Sequence, residues 1–326
     1  MGHVVRTAFA TLAALVVPCA TLAQDYPKKP MLVILPMQSA SASDVMVRLV
    51  AQRMAENMKQ QTVIVNMPGA AGLIGTERIA RAAADGYTIG GLNDGLLTQI
   101  PYLYQKVPYD LVRSFDPVSM VAAVTYVLIV HPSVPAKSLK ELIALARSQP
   151  GRIDFASGGV GNAQHFAMEL FNRATGASFG HVPYRGATAA GLDVIGGRVP
   201  AMFSSIAVPL PAIKEGRLRA LAVPSEKRSP LLPDTPTFQE AGVPNFVFFT
   251  YTALYVPAGT PKPIVHRLND EAAKALSDPA VKERLLGLGL EPASSTPEQL
   301  GRLIESDRAK MIKVIKEANI HIEPEK

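Results

Sequence analysis

The chain has 326 residues, 48% hydrophobic and 18% charged, with 27 prolines and 24 glycines dispersed between apolar runs. That composition excludes a disordered chain, a coiled coil and a fibrous repeat, and the length suits two domains at about 150 residues each. The formal net charge is +6, but the basic residues are interspersed with acids along helical stretches, so nucleic acid is not expected as a partner.

Arg6 precedes an apolar run at 8–17 that ends near Ala20, Thr21, Leu22 and Ala23, the pattern of a secretory signal peptide over residues 1–23. The run is too short to cross a bilayer, which takes about 20 apolar residues. Its removal takes with it Cys19, the only cysteine. Pro18 ahead of Cys19 stands where lipid anchoring needs a small residue, so the expected product is a soluble, disulfide-free periplasmic protein beginning near Gln24.

Beyond the signal the pattern repeats: a short apolar run, a loop of small polar residues, then apolar residues at helical spacing. This is βαβ syntax and defines an α/β chain. A strand at 31–35 leads through the loop 36–43 into a helix on which Met46, Leu49, Val50 and Met54 share a face, with Asp44 near its start. Strands at 63–66 and 87–92 follow, separated by a helix from Gly72, and this half closes around 119–126. A second series opens at 127–130. Ser138 and Glu141 form a capping box, strands recur near 153–156, 179–182, 200–203 and 218–223, and helices near 163–174, 188–195 and 208–215. After the proline-rich loop 229–236 and the run 246–256 the chain is helical. Thr296 and Gln299 form a second capping box around Pro297, and Leu300, Leu303, Ile304, Met311, Val314 and Ile315 make one apolar stripe. Two lobes are expected, 24–125 with 247–326 and 126–246, with the tail packed on one of them and a ligand cleft between them.

Enzyme signatures are missing: there is no G-x-S-x-G elbow, H-E-x-x-H helix, P-loop or G-x-G-x-x-G. His131, His165, His181, His266 and His321 are scattered singly, and such histidines are more often structural than catalytic or metal-bound. No metal, cofactor or catalytic residue is therefore expected. Ser39, Ser41, Ser43, Ser157, Ser204 and Ser205 fall in or beside strand-to-helix loops, where serine either caps the helix or meets a ligand. The loop Ser157-Gly158-Gly159-Val160-Gly161-Asn162 follows a strand and precedes a helix. Its glycines either make a tight turn or let backbone N–H groups approach an anion. Gly69-Ala70-Ala71-Gly72 is a weaker case, and Arg185, the one basic residue in a strand-to-helix loop, is either solvated or a partner for an anion.

Several stretches together are more specific than any one of these motifs: Pro68-Gly69-Ala70-Ala71-Gly72 with Ala84-Asp85-Gly86-Tyr87-Thr88, Leu103-Tyr104 with Pro108-Tyr109-Asp110, Ala156-Ser157 through Gly159, Gly161 and His165, His181-Val182-Pro183-Tyr184-Arg185-Gly186, Gly196-Gly197, and Pro257-Ala258-Gly259-Thr260-Pro261. Over essentially the whole mature chain they resemble the periplasmic solute-binding proteins of tripartite tricarboxylate transporters, the Bug or TctC-like family. The resemblance implies a two-lobe periplasmic binding protein fold of type II character that closes by hinge motion near 124–127 and 246–251 on a small carboxylate. It also implies delivery to a permease of large and small membrane subunits, by a receptor expected to be a monomer. In such proteins backbone amides, small hydroxyls and water hold the carboxylates. Matched by motif, the site comprises Met37, Ser39, Ala40, Ser41 and Ser43, Asn93, Asp94 and Gly95, Ser157, Gly158, Gly159, Gly161, Asn162 and His165, Tyr184, Arg185 and Gly186, and Ser204 and Ser205.

The chain departs from the family pattern in three places. Ser39-Ala40-Ser41 replaces a proline and glycine pair, Met67 stands in the Asn-Arg-Pro-Gly stretch, and Ser204 occupies an acidic position. Loss of the acid removes a partner for a ligand's amino group, so an aliphatic or aromatic di- or tricarboxylate is expected in place of an amino acid. Two other readings of an exported α/β chain are a hydrolase, for which no motif supplies nucleophile and base, and a sensory protein that presents ligand to a membrane receptor.

Overall fold

A computed structural model describes residues 26–39, 41–104, 107–110, 113–184, 186–318 and 320; the expected signal segment, Ala40, Arg185 and His321 lie outside the described residues. In the first lobe β1 (Met31–Leu35) feeds α1 (Ala42–Met58), whose Met46, Val47, Val50, Ala51 and Met54 are buried at helical spacing. β2 (Thr62–Asn66), α2 (Leu73–Ala80) and β3 (Thr88–Asn93) complete the βαβ pattern. β1 pairs in parallel with both β2 and β3, which places the carboxyl ends of β1 and β3 side by side. Two short turns of helix follow, α3 (Gly95–Thr98) and α4 (Ile100–Leu103).

The expected break at 119–127 is absent. β4 (Phe115–Val130) is one strand, because the sequence from Val118 to Val130 contains neither glycine nor proline to end it. It serves both lobes. The second lobe adds α5 (Leu139–Ser148), β5 (Asp154–Ser157), α6 (Ala163–Thr175), β6 (Gly180–Pro183), α7 (Ala187–Ile195), β7 (Ala201–Ser205), α8 (Leu210–Lys214) and β8 (Arg219–Ala222). The end of β4 pairs antiparallel with β7 and β8, while its first part pairs antiparallel with β9 (Phe249–Pro257), which carries the chain back into the first lobe. The Phe248 N–H donates to the Pro224 carbonyl, which joins the end of β8 to the start of β9. Two adjacent strand crossings therefore link the lobes.

The second lobe is packed around Phe171, which meets Phe203, Phe238 and Phe246 edge to face. The capping box expected at Ser138 is half formed: Ser138 accepts from the Glu141 N–H, but Glu141 turns to the Lys137 N–H. The box at Thr296 is complete.

The tail comprises α9 (Lys262–Ser277), α10 (Pro279–Gly287), β10 (Glu291–Pro292) and α11 (Pro297–Glu317). It packs on both lobes, which corrects the expectation of one. Leu300 shares a core with Phe115, Tyr251 and Tyr255, whereas Met311, Val314 and Ile315 share one with Phe166, Phe171 and Phe246. The 21 residues of α11 reach about 30 Å at about 1.5 Å per residue, enough for one stripe to enter two cores. No described helix is long and apolar enough to cross a membrane.

Candidate ligand site

The expected site residues fall into one group of loops on each lobe, at the carboxyl ends of parallel strands. On the first lobe the loop after β1 is held by a buried acid. The Asp44 carboxylate accepts from Arg48 Nε (2.8 Å) and from Asn66 Nδ2 (2.9 Å), and the same Asn66 amide donates to the Met37 carbonyl (3.1 Å). Asp44, noted in the sequence only as lying near a helix start, is therefore the residue that positions this loop. Ser41 caps α1 by accepting from the Asp44 N–H, and Ser43 accepts from the Thr252 hydroxyl at 2.8 Å. The 68–72 motif packs beneath the same loop: a side chain at Gly72 would come within 2.9 Å of the Pro36 carbonyl, and Gly72 also needs its positive φ of 92°. Asn93 accepts from the Leu96 N–H at the start of α3. Asp94, among the expected site residues, is buried and lines a small cavity with Thr98, Val247, Asp307 and Lys310.

On the second lobe the glycine loop is a closed network. The Gly158 N–H donates to Gln164 Oε1 (2.7 Å), the Gly159 N–H to Ser157 Oγ (3.2 Å), and the Gly161 N–H to His165 Nδ1 (3.0 Å). All three glycine amides thus have internal acceptors, which moves the free donors to the helix start. Asn162 caps α6 by accepting from the His165 N–H, and the N–H groups of Val160, Ala163 and Gln164 have no acceptor among the described residues. The next loop is tied to this one by Tyr184 N–H to Ser157 O and Gly186 N–H to Gly158 O, while the Tyr184 hydroxyl donates to Asp193 at 2.8 Å. Ser204 is buried and Ser205 lies beside it at the end of β7.

His165 and His181, read singly in the sequence, are stacked with ring centroids 4.0 Å apart, and Phe155 stacks on His181. Burial, with His181 adding to it, pushes the His165 pKa down to about 4, and burial lowers that of His181. The fold, not the sequence spacing, brings these rings together. His181 Nε2 lies 2.6 Å from Ser157 Oγ, the distance of a nucleophile and its base. Ser157 is fully buried, and its oxygen already engages the Gly159 N–H and carbonyl, so the pair fastens the loop. Among the described residues no group of three or more His, Cys, Asp or Glu side chains could hold a metal ion.

No hydrogen bond or ion pair joins the two groups of loops among the described residues. A separate cavity of about 970 Å³ is lined by Ala123, Thr125, Phe249, Lys227, Leu231 and Glu291 among others, and contains none of the expected site residues.

Two α/β lobes on two strand crossings, with paired loops at the strand ends, define a two-lobed solute-binding protein. The sequence profile of the tripartite tricarboxylate transporter family receptors (TctC) matches residues 46–320, and the chain belongs to that family. Protein BugT of Bordetella pertussis is 35% identical over 296 residues, covering 90% of this chain and 91% of its own. Among solved structures, Rpa4515 of R. palustris with adipate is 32% identical at a TM-score of 0.76, covering 91% of this chain and all of that one. MatC (Rpa3494) of Rhodopseudomonas palustris with bound malate is 30% identical at 0.70, covering 89% of this chain and all of its own.

Proposed function

We propose that this receptor is exported to the periplasm, captures a small dicarboxylate lacking an amino group between its lobes, and presents it to a permease of large and small membrane subunits without chemical turnover. The observation that carries this reading is the set of N–H groups of Val160, Ala163 and Gln164 at the start of α6 that have no acceptor among the described residues. Oriented amides at a helix start attract an anion, and the 13 residues of α6 give that start its full dipole. The binding of adipate and malate by relatives supports the ligand class. Ser204, where the family resemblance implies an acid, leaves no carboxylate there for a ligand's ammonium group.

A thermal-shift panel tests the ligand class. Adipate-type and malate-type dicarboxylates are expected to raise Tm, with a stabilisation of about 2.7 kcal/mol at a hundredfold excess over Kd. Aspartate and glutamate are expected to leave it unchanged. Stabilisation by the amino acids alone would overturn the assignment. With a stabilising ligand, solution scattering is expected to show a smaller radius of gyration at saturation, because closure turns the lobes about the crossings at 124–127 and 246–251. An unchanged radius with calorimetrically confirmed binding would refute closure.

A further inference from the structure

The middle of α11 meets the second crossing at a buried cluster of charge. A cavity of about 20 Å³, the size of a single water, is lined by Asp94 from the turn before α3, by Val247, Phe248 and Phe249, and by Asp307 and Lys310 of α11. Lys310 Nζ donates to the Val247 carbonyl at 3.0 Å, so the tail helix grips the crossing segment directly. The Asp94 N–H donates to the Tyr251 carbonyl of β9. The Tyr255 hydroxyl is buried without a hydrogen-bond partner among the described residues, and the buried Tyr251 hydroxyl lies against the Asp307 carboxyl. The titratable groups facing the cluster are thus Asp94, Tyr251 and Tyr255 of β9, Tyr126 of β4, and Asp307 and Lys310.

We propose that Asp94, Asp307 and Lys310 form a proton-governed brace between the tail helix and the second crossing, tight while one carboxyl is protonated and loosened when both are ionised. With one proton the triad holds one carboxylate and one ammonium, a neutral set that a buried site tolerates. With both acids ionised a net negative charge is enclosed in a space too small to hydrate it. The Lys310 ammonium is then drawn toward two carboxylates and away from the Val247 carbonyl. Because α11 is anchored in the cores of both lobes, slackening at its midpoint frees the lobes to move.

The electrostatics agree in sign. Burial first, and the Asp307 charge second, push the Asp94 pKa up to about 7; burial raises Asp307 against the pull of Lys310, and burial lowers Lys310. An aspartate of the unfolded chain titrates at about 3.9, so between that value and about 7 the folded seam holds a proton that the open seam releases. The brace therefore weakens as pH rises through this window and levels off above it.

Hydrogen exchange of the ligand-free full-length mature protein, corrected for the intrinsic pH dependence of amide exchange, tests this without any ligand and so independently of the binding reading. Protection of the amides at 247–250 is expected to fall about tenfold from pH 5.5 to pH 8 in the wild type. In Asp94→Asn and in Asp307→Asn it is expected to stay flat over the same range. Wild-type protection that does not change, or both variants keeping the wild-type slope, would overturn the brace. Should either variant fail to fold, carboxyl carbon NMR of the wild type decides: a raised, two-step titration of Asp94 and Asp307 supports the proposal, and ordinary titration of both near pH 4 sinks it.

Discussion

Gly158→Val is expected to abolish dicarboxylate binding, by a factor of a hundred or more on the order of the overpacking cost of about 1–3 kcal/mol plus a displaced buried donor of similar size. A side chain at Gly158 would stand 2.7 Å from the Ala187 backbone nitrogen and 2.6 Å from Asn162 Nδ2. The first neighbour is main chain at the start of α7, and the second is the side chain that caps α6, so the substitution pushes both ligand loops of the second lobe apart. Gly159→Val and Gly161→Val act differently. Their φ values of 138° and 75° forbid a β-branched residue, and the cost there is backbone strain of about 1–3 kcal/mol in the same loop. Gly216→Ala is the control, since its φ of 72° is also positive but nothing lies within 4 Å: it is expected to lose some stability and keep its affinity. Calorimetric titration with a stabilising dicarboxylate, beside the melting curve of each variant, checks all four. Normal affinity in Gly158→Val would show that the geometry of this loop does not set binding.

Acidification from pH 6.5 to about 4 is expected to loosen the same loop, by up to about 3 kcal/mol for His165 at about 1.4 kcal/mol per pKa unit. The Gly161 N–H donates to the lone pair of His165 Nδ1, and a proton on that nitrogen removes the acceptor. His165 Nε2 is 3.8 Å from Glu169 Oε1, but burial raises the Glu169 pKa, so this carboxyl is itself losing charge as the imidazole would gain one. The folded-state pKa of about 4 lies below the ordinary 6.5. Above 6.5 the ring is neutral in both states and contributes nothing. Between 6.5 and 4 the unfolded chain takes up a proton that the folded loop refuses, so stability falls as pH falls and levels off below 4. Asp94 has the opposite slope over much of this range, so the melting curve of the wild type alone mixes the two. The difference between wild type and His165→Gln isolates the histidine: the variant is expected to be less sensitive to acid between pH 6.5 and 4. Equal acid sensitivity in the two proteins would remove His165 from this role.

How much of this was legible in the sequence depends on the range of the interaction concerned. Apart from β4 and the start of β9, the strands, the loops that follow β1 and β5, and the capping serine and threonine residues are encoded by local periodicity and turn chemistry, and they lie within a residue or two of where the pattern puts them. The motif-rich loops also carried the family resemblance, because glycines held at positive φ and close backbone approach tolerate few substitutions. The continuity of β4 was available too, in a stretch without a breaker, but a strand shared by two lobes has no local signature that separates it from two strands. Asp44 was visible as a residue, yet its partner Asn66 is on another element and reaches the loop only through the parallel pairing of β1 and β2.

The sequence by itself determined the fold class and the family, and marked the loops proposed to carry the site, because these rest on short-range steric and hydrophobic preferences. Tertiary structure decided which amides remain free. The glycine N–H groups are consumed by Gln164, Ser157 and His165, side chains whose direction depends on how α6 sits over β5. It also buried Asp94 and joined it to Asp307 and Lys310, more than 200 positions along the chain, by laying α11 across both lobes. Hydrogen-bond satisfaction and charge burial are set by every neighbour at once, and no local pattern records them.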